Sequence, residues 1–309
     1  MFVVWLIVFS AVFAFGHGTG PWEGFSRQAD ERQAIDDLRT AETLRREAIR
    51  LAENELGLVD KQLVPLLVNL AVLLHFEAKD SEAEPVTRRA LAIAEQANDA
   101  ALKGISLNAL GVVLSAEGDR SHAESFLRRS LVLMEDAEGP DSLNAAKAAN
   151  NLASLYCDTR QYAKAERQME RALPVYEHHF SSDDPALVLA LSNMFTALAG
   201  LNRDAEGEVF LRRALAIAAK NFPHSLKMAN LQHSLASLEA KHQNFPEAGR
   251  LLETVLNTQE RLLGPDHPDL GRTLVEYSAV LRHMHLNTEA KNAQNRANLI
   301  LKSVLNDVK

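Results

Sequence analysis

Two histidines and two aspartates crowd together at His178-His179 and Asp183-Asp184, the densest set of metal-ligating side chains in the chain. A metal needs several of them to converge, whereas an Asp just ahead of Pro185 is what a helix N-cap demands, and adjacent histidines point apart on a helix. Capping and packing account for them. His283 and His285 flank Met284, a pair that could chelate from a strand, but residues two apart on a helix diverge by about 200 degrees. The single cysteine, Cys157, permits no intramolecular disulfide and has no histidine in its own helix to act as base, so it is expected to pack rather than attack. No glycine-rich phosphate loop, Gly-x-Ser-x-Gly elbow or His-Glu-x-x-His string occurs, and neither catalysis, a cofactor nor a metal is expected.

The elements that carry these residues recur. The strings NLAVLL, ALGVVL, NLASLY, NMFTAL, SLASLE and EYSAVL begin at 69, 109, 151, 193, 234 and 276, in steps of 40, 42, 42, 41 and 42 residues. A fixed period of this size marks a solenoid, whose units bury their apolar faces only against their neighbours. Counting the first residue of each string as position 0, small residues recur at position 14: Ala83, Ala123, Ala165, Gly207, Ala248 and Ala290. Two helices must approach closely there. Positions 20 to 22 then read Arg89-Ala90-Leu91, Arg129-Ser130-Leu131, Arg171-Ala172-Leu173 and Arg213-Ala214-Leu215, a second helix in each unit. Turn formers such as Gly118-Asp119 and Asn202-Arg203-Asp204 separate the two helices, and Glu138-Gly139-Pro140-Asp141 and Leu263 to Pro268 separate units. In those linkers Gly is expected to end one helix, Asp to cap the next and Pro to occupy its first turn.

The 309 residues are 47% hydrophobic and only 6% aromatic, a composition that favours helix throughout and predicts no sheet. A net charge of -8, from 33 basic and 41 acidic residues, argues against a nucleic-acid partner. The basic pairs Arg45-Arg46, Arg88-Arg89, Arg128-Arg129 and Arg212-Arg213 lie among acidic residues and read as a solvated helix face. Phe2 to Phe15 are apolar except for Ser10 and precede the polar Gly16 to Pro21. This pattern suits a signal peptide cleaved after Gly16, and so export to a periplasmic or extracellular space. The lack of Lys or Arg ahead of the apolar run leaves an uncleaved membrane anchor as the alternative.

These residues resemble the tetratricopeptide repeat family in the 42-residue form of kinesin light chains. The best match runs from Asn150-Asn151-Leu152-Ala153-Ser154-Leu155-Tyr156 through Tyr162-Ala163-Lys164-Ala165-Glu166 to Arg171-Ala172-Leu173. Ala78 and Arg160 depart from the family's turn glycine, and Thr254 from its arginine. The resemblance implies an all-α, right-handed superhelical solenoid of stacked antiparallel helix pairs. Its expected divisions are a leader at 1–16, a linker and capping helix at 17–60, six pairs at 61–300 and the end of a cap at 301–309.

In such a solenoid the first helix of each pair lines the concave surface, and positions -4, -1, 3 and 7 of each unit form one inward stripe. The first units place Val68, Val72 and Phe76, then Asn108 and Val112, at an apolar end that binds a peptide side chain or is covered by the N-terminal helix. The third, fifth and sixth units place Lys147, Asn150, Ser154 and Asp158, then Asn230, His233, Ser237 and Lys241, then Arg272 and His283. This end is polar to basic and favours an acidic peptide. Asn108 and Asn150 could pair with an extended peptide backbone, as the family's asparagines do, or bond only neighbouring backbone and water. The resemblance thus implies a non-catalytic scaffold for a protein or extended peptide, with membrane contact only through an uncleaved N-terminus. Self-association or docking to an envelope complex through Val68, Val72 and Phe76 is the alternative.

Overall fold

The computed structural model describes residues 20–34 and 37–306, so the expected leader at 1–16 lies outside the described residues. Fourteen helices follow one another, and no strand occurs among the described residues: α1 Pro21–Ala34, α2 Leu38–Leu56, α3 Leu63–Phe76, α4 Asp80–Gln96, α5 Ala100–Glu117, α6 Arg120–Glu138, α7 Leu143–Asp158, α8 Tyr162–His179, α9 Leu187–Gly200, α10 Asp204–Asn221, α11 Leu226–Lys241, α12 Phe245–Leu263, α13 Pro268–His283 and α14 Asn287–Asn306. They fall into two compact units, one ending at Ser182 and the other beginning at Asp183. Within each, consecutive helices pack in pairs and successive pairs stack, the repeat architecture that the 42-residue period requires.

The close approach at position 14 is a packing fact. Ala83, Ala123, Ala165 and Ala248 are fully buried, and at Gly207 a methyl group would meet the Phe195 ring and the Leu198 side chain at 3.2 to 3.3 Å. The first helix of each of the six repeats ends in the same reversal: the residue at position 9 turns left-handed and the following N–H donates to the carbonyl five residues back. Asp119 thus donates to Leu114, Gln161 to Tyr156, Arg203 to Leu198 and Asn244 to Glu239 at 2.7 to 2.9 Å. The left-handed residue is glycine only at Gly118; Ala78, Arg160, Asn202, Gln243 and His285 hold the same place with φ between 56 and 64 degrees.

Three expectations about helix ends are corrected. Ahead of α9 neither Asp183 nor Asp184 is the cap; Ala186 holds that place without a side-chain bond, and Asp184 Oδ1 accepts from the Ala186 N–H at 2.8 Å. After Gly139 the cap is Ser142, whose hydroxyl accepts from the Ala145 N–H, and Asp141 lies one residue too early. After Gly264 the cap is His267, whose Nδ1 accepts from the Asp269 N–H, with Pro268 in the first turn. At the N-terminus the expected capping helix, α2, pairs with α1. Arg45, expected on a solvated face, is buried between them and donates to Asp30 Oδ1 at 2.8 Å and Gln33 Oε1 at 2.7 Å. Its guanidinium can be buried because a carboxylate and an amide face it.

Candidate functional site

In the unit ending at Ser182, the apolar stripe residues are built into the core. Val68 and Val72 of α3 are buried in a cluster joined by Trp22 of α1 and by Ala109 and Val113 of α5, with Phe76 packed against it. Val112 of α5 is also buried. One turn earlier on α5, Asn108 Oδ1 accepts from Nδ2 of Asn151 on α7 at 3.1 Å. Asn108 is therefore committed to a neighbouring repeat through Asn151, which the stripe did not include. The signal for Asn151 was present at position 0, where asparagine recurs as Asn69, Asn151 and Asn193 inside otherwise apolar strings.

α7 carries the polar part of the stripe. Asn150 is buried, Ser154 is 0% exposed, and Lys147 and Asp158 are half-buried nearer its two ends. Burial lowers the Lys147 ammonium to about 8, against a weaker opposing pull from Glu138. It raises the Asp158 carboxyl to about 6, with Arg120 pulling the other way. Both follow from the cost of holding a charge away from water. Cys157, beside them, has its thiol pushed up to about 12 by burial and by Asp158, the reverse of what activates a thiolate nucleophile.

In the unit beginning at Asp183, the basic side chains of the stripe meet carboxylates. Nε2 of the buried His233 on α11 lies 3.2 Å from Glu276 Oε2 on α13. Lys241 Nζ lies 2.6 Å from Asp204 Oδ2 on α10, and Arg272 pairs with Asp269 one turn back on α13. His283 stacks on Phe245 of α12, ring centroids 4.4 Å apart. Asn230 is half-buried and Ser237 exposed. The positive excess expected along this end is thus largely neutralised locally. Among the described residues no group of three or more His, Cys, Asp or Glu side chains could hold a metal.

Helix pairs stacked in register, with polar side chains lining one face of the first helices, define a helical-repeat protein. Residues 104–178 and 227–297 match the tetratricopeptide repeat family model, and those two segments carry tetratricopeptide repeats. A kinesin light chain protein of Podosopora anserina with nearly identical TPR-like repeats is 19% identical over 65% of this chain and 96% of its own, with a TM-score of 0.51. Two complexes share the fold over more of the chain. The Rap conjugation gene regulator of plasmid pLS20 with the Phr* peptide is 13% identical, with a TM-score of 0.66 over 93% of this chain and 75% of its own. A Rap protein with competence and sporulation factor is 14% identical, with a TM-score of 0.66 over 94% and 78%. No curated protein matches the chain.

Proposed function

We propose that this protein is a non-catalytic scaffold that holds an extended peptide or protein segment against the first-helix face of its repeats. The observation that carries the reading is α7, whose stripe sets an amide, a hydroxyl and two ionisable groups on one face of a buried helix. Such groups suit a peptide main chain, which offers donors and acceptors whatever its sequence. The same fold is seen with a peptide in the Rap complexes, which supports the reading at the level of architecture. Self-association through Val68, Val72 and Phe76 is disfavoured, because the two valines are core and Phe76 packs against them.

Replacing Asn150 with Ala tests the scaffold directly. The variant is expected to lose at least tenfold in affinity for peptides selected from a random extended library by the parent chain; unchanged affinity would sink the assignment. Asn108→Ala makes a different case, since it also leaves the Asn151 amide without its partner, and a lower melting temperature is expected. We further propose that the chain is exported and that cleavage falls after Gly16. N-terminal sequencing of the protein from its native compartment tests this, and a chain still beginning at Met1 favours the anchor.

A further inference from the structure

At about 100 degrees per residue, Lys147, Asn150, Ser154 and Asp158 fall within one sector of α7 of roughly 80 degrees, and a rise of about 1.5 Å per residue sets the outer two about 16 Å apart. Ser154 Oγ is wholly buried and has no hydrogen-bond partner among the described residues. Among the described residues the Lys147 ammonium and the Asp158 carboxylate make neither a hydrogen bond nor an ion pair. Among the described charges, Glu138 and Arg120 at the two ends of α6 act on them through space. α11 and α13 differ, with His233, Lys241 and Arg272 each set against a carboxylate. Asp158 is also the last residue of α7, where the helix dipole disfavours an anion. Nothing among the described residues explains Lys147, Ser154 and Asp158 in this row, and a polar group buried without a partner is costly to keep.

We infer that α7 recognises a dipolar peptide: an extended stretch of about five residues, at about 3.3 Å each, with a carboxylate against Lys147, a cationic group against Asp158, and its main chain on Asn150 and Ser154. This rests on the scaffold reading and adds the charge pattern and span of the ligand. A purely acidic ligand would bring an anion against the Asp158 carboxylate, whereas a dipolar one satisfies both ends. Because Asn150 and Ser154 are shielded from solvent, the peptide enters by local opening, and association is expected below roughly 10⁵ M⁻¹s⁻¹. The cationic group is an N-terminal amine or a Lys or Arg side chain, and the carboxylate a C-terminus or an Asp or Glu.

Titration of the full chain with synthetic alanine-based pentapeptides tests this. The set is a dipolar peptide with Lys and Glu at opposite ends, an acidic one and a basic one, all with blocked termini, and a neutral one whose free termini carry the two charges. The blocked dipolar peptide, or the free neutral one, is expected to bind at least tenfold tighter than the blocked acidic and basic ones, most tightly between about pH 6 and 8, where both α7 charges are present. Preference for the blocked dipolar peptide assigns recognition to side chains, and preference for the free neutral one assigns it to the termini. Asp158→Asn should bring the dipolar peptide down to the acidic one, and Lys147→Met to the basic one, with helicity by circular dichroism unchanged. Equal binding of acidic and dipolar peptides, with Asn150→Ala still weakening both, overturns the dipolar inference and leaves the scaffold standing. Failure of every peptide to bind removes both.

Discussion

Asp158 ends α7 at the negative pole of its helix, half-buried, and both circumstances oppose its ionisation. Its carboxyl is raised from 3.8 to about 6, so between about pH 4 and 6 the folded chain keeps a proton that the unfolded chain has released. Stability from this group therefore falls as pH rises through that window and stays low above it. Asp158→Asn is expected to stabilise the chain by about 1–3 kcal/mol at pH 7 and to leave it unchanged below about pH 4. Urea melts at the two pH values check this, and an equal shift at both would point away from the carboxyl. Lys147 runs the other way: folded at about 8 against 10.5, it costs stability at neutral pH, and the cost is relieved as pH rises between those values. At this scale the sequence showed which residues share a face and nothing of their surroundings. Pro65 and Lys147 hold equivalent stripe positions, yet one is buried and the other half-buried without an ion-pair partner among the described residues, because burial depends on what the neighbouring repeats bring.

At the scale of the helix pair, five of the six turns set a side chain where the backbone favours glycine. Left-handed φ costs a residue with a Cβ about 1–2 kcal/mol, partly offset by the greater freedom of glycine in the unfolded chain. Ala78→Gly, Arg160→Gly and Gln243→Gly are each expected to gain about 0.5–1 kcal/mol, read as a higher urea midpoint. Asn202→Gly should gain less, because asparagine tolerates this conformation. Gly111 shows the opposite constraint: a methyl group there would stand 2.7 Å from Leu127 Cγ and 3.2 Å from the Ala123 carbonyl oxygen, where α5 crosses α6. Gly111→Ala should cost about 1–3 kcal/mol, and a neutral outcome would mean that α6 can shift away. The departures from glycine at Ala78 and Arg160 were visible in the sequence as exceptions. Their left-handed backbone became evident only in the folded turn. The caps at Ser142 and His267 were missed by one residue for a related reason: a cap is defined by where the backbone turns helical, and Asp141 and Asp266 offered equally good side chains beside it.

Across the molecule, each unit holds core of its own. Trp22, Leu67, Val72 and Val113 belong to a cluster in the first, and Leu256, Leu270, Leu281 and Ile300 to one in the second. Arginine–glutamate pairs 36 residues apart, Arg89 with Glu53, Arg171 with Glu135 and Arg296 with Glu260, join second helices of successive repeats. Because a repeat touches mainly its neighbours, stability accumulates along the chain rather than at one centre. Residues 20–182 and 183–306, produced separately, are each expected to be helical and to unfold cooperatively with denaturant; random-coil spectra from either would show that its core needs the other.

The period of about 42 residues, the small residue at position 14 and the apolar strings determined the helix pairs and their stacking, because those features repeat and each repeat confirms the others. Tertiary structure alone decided the chemistry of the stripe. Asn108 was claimed by Asn151, His233 by Glu276 and Lys241 by Asp204, while Ser154 was left buried without a hydrogen bond and Lys147 and Asp158 without an ion pair among the described residues. Helical periodicity acts within a helix and is written in local spacing. Whether a polar group is satisfied depends on the few ångströms to residues some 40 positions away, a distance that spacing does not record.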